Sequence, residues 1–277
     1  MSPGFDCITF LSDYGLTDEF VGVCKGVMRK IAPSVEIIDI THGIHPQSIR
    51  DGAMVLAQSV TYMPRAVHLA IVDPGVGSDR MPVIVATEEG SLLVGPDNGL
   101  LTLASAALGG SSSAVKIDNP KYMLPKPSRT FHGRDLFSPA AAHLAMGVAM
   151  QDFGPALDLS ALVQLGVARP RRHDDHYHAE VLHVDRFGNL QLNLSPLEMK
   201  EVGLGVGSAL EVRVEGNRTL VNYSETFGAA GEGELVVTED SHGLIAVSVY
   251  CGSAAERLDA AMGSSVIVGP LGSGADD

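Results

Sequence analysis

The sequence predicts an α/β N-terminal domain, with a mainly parallel central sheet flanked by helices, followed by a smaller, all-β, barrel-like C-terminal domain. Three observations predict this. Up to about residue 165, short β-like apolar runs alternate with segments of helical periodicity. The chain then turns polar and charged over Gly166-Val-Ala-Arg-Pro-Arg-Arg-His-Asp-Asp-His-Tyr-His178. Beyond that break, short β-like runs recur between Gly, Asn and Asp turns, with no long helical pattern. The expected boundaries are residues 1–167, a linker at 168–178, and 179–277.

Each element has its own signal. Cys7–Leu11 is an apolar run ending in Ser12-Asp13-Tyr14-Gly15, as a buried strand ends in a loop. Thr17-Asp18-Glu19 opens a helix with Phe20, Val23, Val27, Met28 and Ile31 at helical spacing. Val35–Ile40 is a second strand, and Ser48–Val60 a second helix with Ile49, Ala53, Leu56 and Val60 on one side. Val67–Val72 is a third strand, stopped by Pro74-Gly75, and Val83–Thr87 and Leu92–Val94 flank the turn Glu88-Glu-Gly90. Ser138–Met150 reads as an apolar helix too short to span a bilayer. In the second domain, strands are expected at Ala179–Val184, Leu190–Leu194, Ala209–Val214, Leu220–Tyr223, Glu234–Thr238, Leu244–Val249 and Ser265–Val268.

Composition removes several function classes. A formal charge of −14 with only 19 Lys and Arg argues against a nucleic-acid partner, which needs a basic footprint. Cys7, Cys24 and Cys251 are odd in number and far apart, as expected of reduced thiols in a cytoplasmic protein. Met1-Ser-Pro-Gly-Phe-Asp6 has neither the basic nor the apolar region of a signal peptide. A G-x-x-x-x-G-K-[ST] loop, a G-x-G-x-x-G after the first strand, a G-x-S-x-G elbow and an H-E-x-x-H helix are all missing. His173, His176 and His178, with His183 nearby, read as a histidine-rich exposed linker rather than a metal site, because no strand or helix is expected to fix the linker histidines.

The remaining chemistry sits in glycine-rich loops. In a parallel sheet, ligands bind beyond the carboxyl ends of the strands, and Asp13, His42 and Asp73 each follow a strand run. Asp13 can accept hydrogen bonds from a ribose diol, or cap the helix that follows. Phe131 and Phe187 can stack on a base or belong to a core. Asp185 and Asn189 can form a polar clamp or a tight turn. Arg80 can act on a nucleophile or pair with neighbouring Asp79.

Seven motifs occur in order: Phe10-Leu-Ser-Asp-Tyr-Gly15, Cys24-Lys-Gly-Val-Met28, Ile38-Asp-Ile-Thr-His42, Val72-Asp-Pro-Gly-Val-Gly77, Gly95-Pro-Asp-Asn-Gly-Leu-Leu101, Phe131-His-Gly-Arg-Asp135 and Asp185-Arg-Phe-Gly-Asn189. Together they resemble the S-adenosylmethionine hydroxide adenosyltransferases, relatives of fluorinase and chlorinase. The resemblance implies a homotrimer whose active sites lie where the N-domain of one subunit meets the C-domain of the next. It implies hydrolysis of S-adenosylmethionine to adenosine and methionine, by water attack at ribose C5′, with no metal or organic cofactor. By resemblance, Asp73, Arg80 and His132 form the catalytic set. Asp13, Asp18, Asn98, Phe131, Gly133, Asp185, Phe187, Asn189 and Ser241 form the substrate-binding set. His242 and Gln47 depart from the halogenase pattern, implying a differently held methionine carboxylate and a less aromatic adenine pocket. A halide adenosyltransferase is the first rival, and the carboxylate of Asp73 argues against it because it would repel a halide. The second rival is a non-catalytic adenosine or S-adenosylmethionine binding protein, which places no demand on the catalytic set.

Overall fold

The computed structural model describes residues 4–272, so the extreme ends of both expected domains, 1–3 and 273–277, lie outside the described residues. The chain divides after Leu165 into two units. The first carries β1 (Cys7–Ser12), α1 (Phe20–Ile31), β2 (Glu36–Thr41), α2 (Ile49–Val60), β3 (Val67–Ile71), β4 (Pro82–Thr87), β5 (Leu92–Pro96), α3 (Thr102–Ala107), β6 (Ser111–Lys116), α4 (Ser138–Ala145) and β7 (Ala156–Leu157).

These strands form one sheet in the order β2-β1-β3-β5-β4-β6-β7. The β2, β1, β3 and β5 neighbours pair in parallel, while β4, β6 and β7 extend the sheet by antiparallel pairing. Every residue of β1 and β3 is buried, because helices cover both faces of a parallel sheet. Side chains alternate between two cores, following the strand period of two. Ile8, Phe10, Val67, Leu69 and Ile71 pack with Cys24 and Met28 of α1 and Ala140 and Leu144 of α4. Leu11, Ala70 and Val72 pack with Ala53, Leu56 and Val60 of α2 and Ala104 of α3. In-register pairing of Ser12 with Ile71 brings the ends of β1 and β3 side by side, so their following loops open at the same sheet edge.

The second unit carries β8 (Arg171–His173), β9 (His176–Val184), β10 (Leu190–Leu192), α5 (Pro196–Glu201), β11 (Ala209–Val214), β12 (Asn217–Tyr223), β13 (Leu235–Glu239), β14 (Ile245–Val249), α6 (Ala254–Leu258) and β15 (Ser265–Pro270). The order β10-β14-β13-β12-β11-β15-β9 is closed by β9–β10 pairing, giving a seven-stranded barrel with β8 as a flap on β9. Alternating apolar residues fill its interior, including Val181, Leu190, Leu210, Val212, Val247, Val266 and Val268.

Three expectations need correction. The linker expected at 168–178 contains a β-hairpin, Arg171–His173 against His176–His178, turning at Asp174 with a left-handed φ of 44°. Its charged residues hide a strand pair whose backbone bonds do not depend on apolar side chains. The helix expected over Ser138–Met150 ends at Ala145, where the chain leaves helical geometry and Gly147 takes φ 86°. It is also preceded by a π-helical turn, Gly133–Phe137. The hairpin fixes the histidines that were expected to lack a frame: the rings of His173, His176 and His178 cluster, with His176 Nε2 and His178 Nε2 3.3 Å apart. Among the described residues, no group of three or more ligating side chains is arranged to hold a metal ion. Nor is any helix among them long and apolar enough to cross a membrane.

Candidate active site

Two loops and one helix entry build the site within the first unit. β1 delivers Asp13 and β3 delivers Asp73, while His132 is the residue preceding the π-helical turn into α4. The loop after β3 turns back on itself through Val76 N–H to Asp73 C=O (3.2 Å), which returns Arg80 to Asp73. Gly77, at φ 80°, lets this loop press onto the segment before His132: a Cβ there would lie 2.5 Å from the Arg129 carbonyl oxygen. A π-helical turn beside a candidate catalytic residue is a frequent mark of function.

Asp73, Arg80 and His132 meet. Arg80 donates from Nε to Asp73 Oδ1 (2.9 Å) and from Nη2 to Asp73 Oδ2, a bidentate pair with both side chains largely buried. The same Nη2 lies 2.8 Å from His132 Nδ1. The guanidinium also sits 5.2 Å from the ring centre of Phe137. Arginine only donates, so His132 Nδ1 must accept and the neutral ring carries its proton on Nε2. Burial lowers the His132 pKa below its ordinary value, and the Arg80 charge lowers it further, against opposition from Asp73 and Asp135. The imidazole is therefore held neutral at pH 7.

Asp73 and His132 border a cavity of ≈ 560 Å³, with Asp13 and Gln47 also on its polar side, while Arg80 is not part of its lining. That volume lies within the usual range for a small-molecule site, roughly 300–1,000 Å³. Asp13 Oδ2 accepts from Gln47 N–H (2.8 Å), which steadies Gln47 at its left-handed φ of 67°. Asp13 therefore does not cap α1, whose first turn has no side-chain cap. Tyr14, Phe20 and Phe131 form an aromatic wall with ring centres 5.3–5.8 Å apart. Gly133 lies beneath the Tyr14 hydroxyl, with no room for a side chain.

Other expected residues stand elsewhere. Asp18 is exposed in the bend before α1 and is not part of the cavity lining. Asn98 is fully engaged in the fold: Nδ2 donates to the Val72 carbonyl (2.9 Å) and Oδ1 accepts from Leu100 N–H (3.1 Å). It holds the residue before Asp73 and leaves the cavity to others. His42 is buried, 2.7 Å from Ser12 Oγ and edge-on to Phe10, so it supports the strand end and stays out of the cavity lining. Arg80 pairs with Asp73, not Asp79.

The remaining candidates belong to the barrel unit. Asp185 and Asn189 form a tight turn, with Asp185 Oδ1 accepting from Phe187 N–H (2.8 Å) and Asn189 N–H (3.0 Å), and Oδ2 from Asn189 Nδ2 (2.7 Å). Phe187 projects from that turn and is 75% exposed, outside the barrel core. Ser241 is exposed in the turn between β13 and β14. Gln47, which the resemblance set in the adenine pocket, lines the cavity, while Tyr14 and Phe20 are cavity residues that sequence reasoning did not assign to the site; the only signal for Tyr14 was its place beside Asp13 at a strand end.

Fold and cavity define a class first: a two-unit protein whose α/β part presents an acid–arginine–histidine set at parallel strand ends, joined in sequence to a closed barrel. Comparison with known families carries this further. The SAM hydroxide adenosyltransferase N-terminal domain matches residues 8–154, and the C-terminal domain of the same family matches 179–267. The chain belongs to this family. It is 47% identical to an (R)-S-adenosyl-L-methionine hydrolase of Salinispora tropica, over 94% of this chain and 97% of that one. A fluorinase of Nocardia brasiliensis is more distant, at 28% identity over 94% of this chain and 96% of its own. The crystal structure of an uncharacterized conserved protein from Thermotoga maritima superposes with a TM-score of 0.88 at 35% identity, covering 94% of this chain and 99% of that one.

Proposed function

We propose that the chain hydrolyses S-adenosyl-L-methionine to adenosine and L-methionine by attack of an activated water at ribose C5′. The observation that carries this reading is the Asp73–Arg80–His132 set, whose Asp73 and His132 line the cavity that Asp13 also lines. The positively charged sulfonium is already a good leaving group, so no acid is needed on that side. The C5′–O bond forms as the C5′–S bond breaks; methionine departs as a neutral thioether, and one proton leaves the water.

The catalytic demand falls on the nucleophile. His132 Nδ1 is occupied by Arg80, so its Nε2–H is a donor and can orient the water oxygen. Asp73 keeps carboxylate lone pairs beyond those facing Arg80 and is the group left to accept the proton. Arg80 locks both partners and balances the buried carboxylate. Positioned general-base catalysis contributes roughly 10²–10⁴-fold. Asp13 is assigned to the ribose diol, and Phe131 and the aromatic wall to the nucleoside, with Asp18 toward the methionine end.

By family resemblance, the barrel turns bearing Asp185, Phe187, Asn189 and Ser241 are assigned to the site of a neighbouring subunit in a homotrimer. The reduced cysteines are assigned to a cytoplasmic protein, and no cofactor is assigned. The deciding experiment is product analysis by mass spectrometry after incubation with S-adenosylmethionine in ¹⁸O-water, with and without chloride. Adenosine labelled at the 5′ oxygen, unaffected by chloride, is expected. A 5′-chloro product would move the chain to halide transfer, and no product would leave a binding protein.

A further inference from the structure

The ring of Tyr14 belongs to the aromatic wall of the cavity, but that wall makes no use of its hydroxyl. Its ring packs tilted against Phe20 and edge-on against Phe131, at centre distances of 5.7 and 5.8 Å. Its backbone N–H is directed to Ser12 Oγ, while its hydroxyl has no hydrogen-bond partner among the described residues. That hydroxyl lies over Gly133, the residue after His132. A Cβ at position 133 would stand 2.0 Å from the phenolic oxygen and 3.1 Å from the carbon bearing it. The first distance is one that a real Cβ does not tolerate and the second is tight, so a side chain at position 133 would force the Tyr14 ring to shift.

We propose that the Tyr14 hydroxyl oxygen is a further contact of the nucleophile: it accepts the hydrogen that the attacking water keeps, while His132 donates to one lone pair, Asp73 takes the other hydrogen and the remaining lone pair attacks C5′. Gly133 is glycine because this hydroxyl occupies the space of a side chain. The inference rests on the hydrolase reading and deepens it. An aromatic hydroxyl both donates and accepts, so it can hold a water in line while the proton departs toward Asp73. Burial raises the phenol well above its ordinary pKa, with Cys24, Asp13 and Asp73 adding to the rise and Arg80 opposing it, so it stays a neutral hydroxyl at neutral pH.

The test uses the full chain with S-adenosylmethionine in ¹⁸O-water. Tyr14→Phe keeps the ring and removes only the oxygen. Its kcat should fall about 10- to 100-fold, the effect of losing one hydrogen bond to a charged or charge-developing partner. KM should stay within about twofold, since the contact strengthens only in the transition state. The thermal midpoint should be close to wild type. Gly133→Ala should also lose kcat, and adding it to Tyr14→Phe should cost less than it does alone, because the two changes disturb the same atom.

Unchanged kcat in Tyr14→Phe, a loss confined to KM, or strict additivity of the pair would overturn the inference while leaving hydrolysis intact. Wild-type protein that makes no labelled adenosine would instead overturn the hydrolase reading and this inference with it. Should Tyr14→Phe fold poorly, Gly133→Ala carries the same comparison from the other side of the contact.

Discussion

Arg80 serves two acceptors with one guanidinium, so its removal strands both a buried carboxylate and an imidazole. Arg80→Ala should lower kcat by roughly 10²–10⁴-fold. Adenosine binding measured by calorimetry should survive, because Asp13 and the aromatic wall are untouched; loss of binding in step with kcat would deny Arg80 a catalytic part. The pH profile tests His132 separately. Protonation at Nδ1 would set a cation against Arg80, so the neutral ring is the working form. Activity should therefore fall on the acid side, with a midpoint below the ordinary histidine value of about 6.5, since burial and Arg80 both depress this pKa. A midpoint above 6.5 would be incompatible with that arrangement.

Between β1 and β3, His68 faces Thr9 in register, 2.8 Å from its hydroxyl and fully buried. Desolvation alone lowers its pKa from 6.5 to about 4. The folded state binds this proton more weakly than the unfolded state. The stabilising contribution is therefore complete above about pH 6.5 and is lost as pH falls toward 4. Its full size is on the order of 3 kcal/mol. Thermal melts from pH 7 to 4 should show wild type losing more stability than His68→Asn; parallel curves would deny the sheet this acid-sensitive pair.

The same elements show what the sequence made legible. β1 and β3 were readable because strands covered on both faces must be continuously apolar. α3 (Thr102–Ala107) and β6 (Ser111–Lys116) were not, because the first is short and the second opens on three serines. The β8–β9 hairpin was masked by charge. Among site residues, Asp73, Arg80 and His132 are assembled by loops 52 residues apart in sequence, and only the motif resemblance joined them beforehand. Asn98 shows the opposite case: its motif was visible, but both ends of its side chain serve the backbone.

For the whole molecule, the trimer is the sharpest claim. Light scattering at micromolar concentration should give three times the chain mass of 29.0 kDa. A monomer that hydrolyses S-adenosylmethionine at full rate would show that no neighbouring barrel is needed. Phe187→Ala adds a second check: its exposed ring lies outside the barrel core, so stability should change by less than about 0.5 kcal/mol while KM rises.

Barrel closure also governs how the chain is made. β9 begins at His176, yet one flank is supplied by β15, pairing Glu180 with Ser265 and Tyr177 with Val268. A nascent chain must carry an incomplete barrel until its last strand has left the ribosome. Every strand of the first sheet, by contrast, lies before residue 158 and can be paired while the barrel is still being translated. Protease challenge of stalled nascent chains should find the α/β unit resistant well before the barrel. The barrel's exposed edges then persist until β15 has been made.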